Sequence, residues 1–504
     1  MKKLILLFIG ILSMPLMYAQ NITDALRYSQ DEIQGTARFR ALSGAFGALG
    51  GDMSAVSLNP AGSAVFSSSH ASFTLSNLDS KNDTQYFNGF NSTSNSNFDI
   101  NQGGASLVFV NHDTSSPWRK FALSAAYDKT RNFDNNWFAA GTNTNNNSID
   151  LYFYDYANGL RLDQISSFDG ETYSQAYSDI GNSYGFANQQ AFLGYESYIL
   201  EPQSNDDANT VYTSNLGDGT FDQQYTYAST GYNGKITFNA AFQYEDNLYL
   251  GVNLNSHLIN FDRFTQLYET NSNSASLINE INFENTLSTT GSGFSFQLGG
   301  IMKLSPEFRI GLVYDSPTWY TISEETTQYI STTSGTDNPV IIDPQIINIY
   351  PDYKLQTPGK LTGSLAYVFG EQGLISFDYS RKDYGATKFK PTSDSYFASQ
   401  NNLISSDLTE ASTYRFGGEY KYKQFSFRGG YRFEESPYKD GVTVGDLNGY
   451  SLGLGYNFGN TRLDITYDEA QRDSQYQLFN KGLIDKANIN NKNSNVTITL
   501  SFNI

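Results

Sequence analysis

The side chains best suited to bind a charged ligand are arginines that alternate with aromatic residues late in the chain. Arg428 and Arg432 alternate with Phe427 and Tyr431. Successive side chains of a β-strand point to opposite faces, so these arginines share a face that the aromatic residues do not occupy. An arginine placed there can hold a carboxylate through charge-assisted hydrogen bonds. The candidate carboxylate-binding residues are Arg309, Arg415, Arg428 and Arg432.

The same arginines have a structural alternative, because charged side chains inside a barrel also form ionic networks. Pairs with Asp52, or with other carboxylates of the segment 20–66, would attach that segment to the barrel wall. An arginine or lysine on the lipid face near the midplane costs about 2–4 kcal/mol, so either role requires that these side chains face inward. Both roles remain open at this stage.

Catalytic and metal-binding patterns are absent from the sequence. The histidines are His70, His112 and His257, and no G-x-S-x-G nucleophile motif accompanies them. There is no cysteine, no H-E-x-x-H pair and no EF-hand loop. We therefore expect no enzyme activity, no metal site and no cofactor. A single histidine could still ligate haem iron, so a haem receptor stays an alternative.

Alternating segments are the elements that would position the arginines. The segment 494–504 alternates polar side chains with Val496, Ile498, Leu500 and Phe502. A tilted transmembrane strand needs about 9–11 residues, so this segment fits one crossing. Counting such segments predicts an all-β, antiparallel transmembrane barrel of about 14 strands. They lie near 69–78, 103–111, 119–130, 235–245, 247–260, 291–304, 307–316, 360–369, 372–382, 413–422, 424–434, 449–458, 460–469 and 494–504.

The bulk composition supports this class of protein. Charged residues make up only 16% of the chain and aromatic residues 15%, and the mean hydropathy is −0.44. Positions 1–19 hold Lys2 and Lys3, an apolar run and Ala19, which predicts a signal peptide and export. Beyond them no apolar run approaches the roughly 20 residues of a transmembrane helix. The net charge of −19 disfavours a nucleic-acid partner.

The connections between the predicted strands alternate between long and very short. Bacterial barrels have short periplasmic turns and longer external loops, so we expect the first strand to start at the periplasm. The segment 131–234 is too long for a plain loop, and 151–157 and 187–200 could be short surface helices. Two further strands there would make sixteen. The long connections are 79–102, 131–234, 261–290, 317–359, 383–412, 435–448 and 470–493.

The segment 20–66 does not alternate and is rich in small residues. A phosphate-binding loop is disfavoured, since the segment has no G-K-[ST] and no G-x-G-x-x-G. A lumen of fourteen strands is too wide for its own side chains to fill, so we expect this segment to be a plug, or hatch, inside the barrel. The residues assigned to the hatch motif are Gly44, Gly47, Asn59, Pro60, Ala61 and Gly62.

Several short blocks resemble one known family. The run from Gly44 to Gly62 is similar to the N-terminal hatch of the FadL/TodX family of outer-membrane transporters for hydrophobic compounds. The resemblance implies a plugged barrel that takes up long-chain fatty acids or other apolar molecules. It also implies capture in an outer groove, transfer to an internal pocket and lateral release through a gap made by a kinked strand. Further similar blocks, in the family's order, are 308–317, 357–363, 414–420 and 427–433.

These observations divide the chain into a signal peptide, 1–19, a hatch, 20–66, and a transmembrane barrel, 67–504, with long extracellular loops, notably 131–234. We expect passive uptake of a hydrophobic ligand by a monomer in the cell outer membrane, among its lipid and lipopolysaccharide, with a hatch rearrangement near Asn59 and Pro60. One alternative is a surface protein whose loops bind external partners. An open porin and a receptor for haem or another hydrophobic ligand are others.

Overall fold

The computed structural model describes residues 20–113, 115–335 and 338–504, so the predicted signal peptide lies outside the described residues. Antiparallel pairing connects the strands into a closed circuit that returns from the last long strand to the first. The strands are β1 His70–Tyr86, β2 Gly89–Val110, β3 Trp118–Asn132, β4 Asn135–Asn143, β5 Leu200–Pro202, β6 Tyr212–Ser214, β7 Phe221–Tyr244, β8 Leu248–Thr270, β9 Glu280–Lys303, β10 Phe308–Asp315, β11 Trp319–Thr333, β12 Val340–Ile342, β13 Asn348–Ile349, β14 Tyr353–Gln356, β15 Lys360–Val368, β16 Gly373–Asp383, β17 Lys388–Lys390, β18 Glu410–Tyr422, β19 Phe425–Glu434, β20 Val444–Asn457, β21 Thr461–Gln477 and β22 Lys486–Asn503.

The circuit has fourteen positions, in the order β1, β2, β3, β7, β8, β9, β10, β15, β16, β18, β19, β20, β21 and β22. Four positions are extended by a second strand: β4 continues β3, β11 continues β10, β14 leads into β15, and β17 continues β16. Because β4 prolongs a position and adds none, the sixteen-strand alternative is not realised. The predicted fourteen-strand barrel is confirmed.

The two faces of the wall differ as the alternation predicts. Leu312 and Leu452 expose 61% and 62% of their surface outside, whereas Thr466 and Thr497 are buried inside. The apolar outer face suits lipid tails, and closure pairs the backbone groups that a bilayer cannot hydrate. None of the helices in the described part of the chain is long and apolar enough to cross a membrane.

Several strands extend beyond their predicted ends. β1 and β2 continue as one hairpin to a turn after Tyr86, so most of the predicted loop 79–102 is strand. In the same way β8 reaches Thr270 and β9 begins at Glu280, inside the predicted connection 261–290. The extensions are rich in Asn, Ser and Thr, because outside the membrane neither face has to be apolar. Hydrophobic alternation therefore could not reveal them.

The hatch lies inside the lumen, as predicted. Its helices are α1 Ile22–Ser29, α2 Ala37–Ala41 and α3 Met53–Leu58, followed by the 3-10 turn Pro60–Val65. Side-chain caps start the first two: Asn21 accepts from the Thr23 amide at 2.8 Å, and Thr36 accepts from the Phe39 amide at 3.2 Å. Most of the segment is buried against the wall.

The base of the hatch rests on glycines of the wall. Asn59 Nδ2 donates to Gly47 O at 2.6 Å within the hatch and to Gly300 O of β9 at 3.2 Å. A Cβ on Gly251 would overlap Pro60, and a Cβ on Gly299 would overlap Asn59. The missing side chains permit this close approach. The Asn-Pro motif is therefore a docking element of the hatch.

A helical cap covers the extracellular end. Its helices are α4 Asp150–Ala157, α5 Tyr173–Tyr184 and α6 Phe186–Glu196, which confirms the helical interpretation of 151–157 and 187–200. Trp137 and Phe192 are buried in its hydrophobic core. A further helix, α7 Ser395–Asp407, lies in the connection between β17 and β18, where it packs near α1.

Candidate ligand cavity and wall seam

The barrel wall has a seam where β2 and β3 separate. Their pairing covers only Gln102 to Val110 of β2, opposite 120–128 of β3, in the periplasmic half of the wall. Above this point β2 remains paired with β1, while the chain breaks after β3 and continues as β4. The wall is thus not hydrogen-bonded along the outer part of this position.

The strand β4 lies under the inner face of the β1–β2 hairpin. Asn82 Nδ2 donates to Asn136 O at 2.9 Å, and Thr84 Oγ1 donates to Phe138 O at 2.5 Å. Side chains of β1 therefore bind the backbone edge of β4 in place of a neighbouring strand. β4 thus continues the line of β3 along β7, but inside the β1–β2 hairpin.

Polar side chains bridge the seam at the level where it opens. Lys129 of β3 forms an ion pair with Asp99 of β2, and Asn97 of β2 donates to Asp134 just before β4. Side-chain contacts of this kind are separable, whereas a strand ladder has to break several backbone bonds together. The outer part of the seam is therefore held by separate side-chain contacts and not by a backbone ladder.

The hatch closes the seam from inside with the residues 30–35, which we call the hatch strap. Glu32 N donates to Thr130 O of β3 at 3.0 Å. Gly35 N donates to Asn101 Oδ1 of β2 at 2.5 Å. The strap thus binds both strands at the point where they part.

A cavity of about 140 Å³ lies behind the hatch strap. Tyr28, Phe39 and Leu58 give it an apolar side, and charged residues make up about a third of its lining. The lysines and the arginine come from different strands and converge on one space. The charged residues that line it are Asp31, Glu32, Asp128, Lys129, Lys235, Asp315, Lys360, Lys382 and Arg415.

Asp31 of the strap sits between two lysines of the wall. Its Oδ2 lies 3.4 Å from Lys360 Nζ and 3.3 Å from Lys382 Nζ. Lys360 also pairs with Asp315 at 3.2 Å, and Lys382 also donates to Ser29 O. Burial alone would raise the pKa of Asp31, but the attraction of Lys382 and Lys360 outweighs it and holds the pKa well below its ordinary value. Asp31 is therefore ionised at physiological pH.

Of the predicted arginines, Arg428 is committed to an ionic network. Its Nε donates to Glu419 at 2.6 Å and its guanidinium also donates to Asp464 at 2.7 Å, with 0% of the side chain exposed. Arg38 of the hatch joins the same Glu419 at 2.9 Å. A fully enclosed and paired arginine presents no surface to a ligand.

The hatch and the wall pair in both polarities. Arg40 of the hatch binds Asp468 of the wall at 2.7 Å, whereas the hatch carboxylate Asp31 binds lysines of the wall. Asp52, the expected partner of a wall arginine, instead accepts from Thr36 Oγ1 at 2.7 Å and from Ser54 N at 3.0 Å inside the hatch. Asp52 is therefore used as a helix cap, and other charged residues of the hatch make the ion pairs with the wall.

The other predicted arginines are dispersed. Arg309 donates to Leu49 O at 3.3 Å near the periplasmic end, and Arg432 lies 3.5 Å from Glu434. Arg415 lines the lysine cavity, and its buried Nε has no hydrogen-bond partner among the described residues. The four arginines therefore do not form one site, and Arg415 is the member that faces the cavity.

The lysines and Asp31 were missed by the sequence argument. The signal for the lysines was present in the alternation of the strands. Lys360 lies two residues from the inward Thr362, and Lys382 lies two residues from the inward Ser380, so both lysines point to the lumen. Asp31 had no such signal, because side chains alternate between two faces in a strand but not in an irregular segment.

A second polar cavity, of about 200 Å³, lies on the other side of the strap. Glu32 and Gln34 line both cavities, so the strap separates them. The arginines that line the second cavity are Arg27, Arg40, Arg131, Arg432 and Arg472.

Comparison with protein families gives a direct match. The model of the family described as outer membrane protein transport protein (OMPP1/FadL/TodX) matches residues 210–504, which is more than half of the chain. The chain belongs to this family. It is accordingly an outer-membrane β-barrel for the transport of hydrophobic compounds, as predicted, and its family consists of transport proteins rather than enzymes. No curated protein sequence matches the chain.

Solved structures agree on the fold. A Pseudomonas aeruginosa FadL homologue is 11% identical, with a TM-score of 0.56 over 94% of this chain and 99% of that one. The Pseudomonas putida toluene transporter TodX is 13% identical, with a TM-score of 0.52 over 94% and 99% of the two chains. At such low identity the likeness establishes the plugged barrel alone.

Proposed function

We propose that the protein takes up amphiphilic molecules with an anionic headgroup, such as long-chain fatty acids, by passive transport across the outer membrane. The observation that carries this proposal is the set of cationic side chains that meet in the cavity beside the seam. Lys360, Lys382 and Arg415 converge there and offer charge-assisted hydrogen bonds to a carboxylate. An uncharged aromatic hydrocarbon, of the kind named for the neighbour TodX, has no oxygen that could accept from these donors.

The cavity also constrains the route. Its volume of about 140 Å³ is below the roughly 300–1,000 Å³ of common ligand pockets, so it holds a headgroup and not a whole long-chain acid. The acyl tail needs a second apolar space. The seam lies next to the cavity, so we propose that the tail leaves through it and the headgroup follows.

Binding of oleate and of its methyl ester to the purified protein tests the proposal. The acid should bind more tightly than the ester, because only the acid carries the charge. The double variant K360Q/K382Q should remove this preference. Exposed Lys354 and Lys388 offer a matched control, K354Q/K388Q, which loses the same charge outside the cavity and should keep the preference.

Uptake in cells and the native ligand provide the second test. Labelled oleate should enter, in a saturable way, host cells that lack their own fatty-acid transporter. Mass spectrometry of lipid extracted from the purified protein should find anionic lipids. Finding only detergent, together with no saturable uptake, would refute the proposal and favour a surface protein whose loops bind external partners.

A further inference from the structure

Asp31 occupies the place in the cavity that a ligand carboxylate would take. Its carboxylate contacts both Lys360 and Lys382, and half of its side-chain surface, 51%, remains open to the cavity. Unlike Asp315, which also binds Lys360, it belongs to an irregular segment and not to a barrel strand. It can therefore move away without breaking a strand ladder.

Asp31 is also joined covalently to the residue that closes the seam. Glu32 follows it directly and donates its backbone N–H to Thr130 of β3. Consecutive Cα atoms are about 3.8 Å apart, so a displacement of Asp31 by several ångströms must pull on Glu32. The cavity and the seam are thus coupled through one peptide unit.

We propose that Asp31 is an electrostatic latch: an anionic headgroup replaces it on Lys360 and Lys382, and the hatch strap then releases the seam. The inference rests on the proposed function for the identity of the ligand. Exchange of one carboxylate for another leaves both lysines paired. No buried charge is left without a partner, which would be strongly unfavourable. A neutral ligand cannot make this exchange and leaves the latch closed.

The variant D31N tests the latch in the absence of ligand. Hydrogen–deuterium exchange of residues 30–35 should be faster in D31N than in the wild type. The neutral asparagine side chain forms no ion pair with Lys360 and Lys382, so the strap is held less firmly. The variant D315N is the matched control: it also removes a carboxylate from Lys360, but from a barrel strand. It should leave exchange of the strap unchanged. Equal loosening in both variants, or in neither, would overturn the proposal.

Ligand binding supplies the second arm. In the wild type, oleate should accelerate exchange of residues 30–35, and methyl oleate should not. D31N should bind oleate roughly five- to tenfold more tightly, which is about the effect of removing a part-buried competing ion pair. If oleate binds and the strap does not respond, the latch is wrong while the proposed function stands. If oleate binds no better than its ester, the proposed function fails as well.

A disulfide tests the link to transport. Gln34 and Asn101 are in contact across the strap and β2, at 2.5 Å between side-chain atoms, and the chain has no native cysteine. The oxidised variant Q34C/N101C should lose oleate uptake, and reduction should restore it. The single variants give the baseline under both conditions, because N101C alone already removes the acceptor of the Gly35 amide, and only the double variant should respond to oxidation and reduction. Full uptake by the oxidised double variant would show that the strap need not move.

Discussion

Replacing Arg428 with Met should destabilise the barrel without changing its ligand preference. Loss of one partner of a buried ion pair costs about 3–5 kcal/mol, because a charge remains without compensation. Here the remaining carboxylates keep other partners: Glu419 keeps Arg38 at 2.9 Å, and Asp464 keeps Arg462 at 2.7 Å. We therefore expect the lower end of that range, about 3 kcal/mol.

Urea unfolding of the protein in lipid vesicles, followed by tryptophan fluorescence, measures this loss. The matched control is Arg161→Met, which removes an arginine from an exposed pair with Asp163 in the cap. Its unfolding midpoint should stay close to that of the wild type. In the same preparations Arg428→Met should bind oleate and methyl oleate in the wild-type ratio, since Arg428 has no exposed surface.

Two results would refute this reasoning. A loss below about 1 kcal/mol would mean that the network contributes no more than surface pairs do. A selective loss of oleate binding in Arg428→Met would mean that this arginine reaches the ligand, as the sequence alone allowed, and that the lysine cavity is not the headgroup site.

Three further outcomes are expected. Arg415→Met should weaken binding of oleate more than that of its ester, because its free Nε faces the cavity, and equal losses would contradict this role. Gly299→Val should loosen the hatch, since its side chain would overlap Asn59, and should raise ion conductance in planar bilayers. Burial raises the pKa of Glu269, which lies at the outer end of β8 and accepts from Ser148 and Ile149 of the cap, to about 7. The protonated form therefore stabilises the cap fully below about pH 4.5, and this stability is lost as the pH rises through 7. Hydrogen–deuterium exchange of the backbone amides in α4–α6, corrected for the intrinsic pH dependence of exchange, should therefore be slower at pH 5.5 than at pH 8. The variant Glu269→Gln should remove this difference.

The sequence predicted the parts of the fold that lipid dictates. Where one face of a strand meets the membrane, alternation is strict, and Phe427 and Arg428 lie on the predicted sides. Above the membrane this constraint ends, so the outer half of β2 was read as loop. The length of 131–234 indicates internal structure, but it does not distinguish helices from further strands, so the cap helices were one of two open alternatives.

The site was harder to predict than the fold. The alternation along a strand indicates that a side chain faces the lumen. It does not indicate where along the barrel axis that side chain lies or which residue it contacts. Arg415 and Arg428 both face inward, and yet one lines a cavity while the other is enclosed by carboxylates. Asp31 lies in an irregular segment, where the path of the chain depends on tertiary contacts that no local pattern encodes.

The glycines beneath the Asn-Pro turn have a consequence for the cell. The backbone of the hatch lies directly on Gly251 and Gly299, so the base of the hatch and the wall are in close contact. If the strap alone moves, a ligand leaves through the side of the barrel while the base of the hatch stays in place. Transport by this route should not raise the permeability of the membrane to ions and water-soluble solutes.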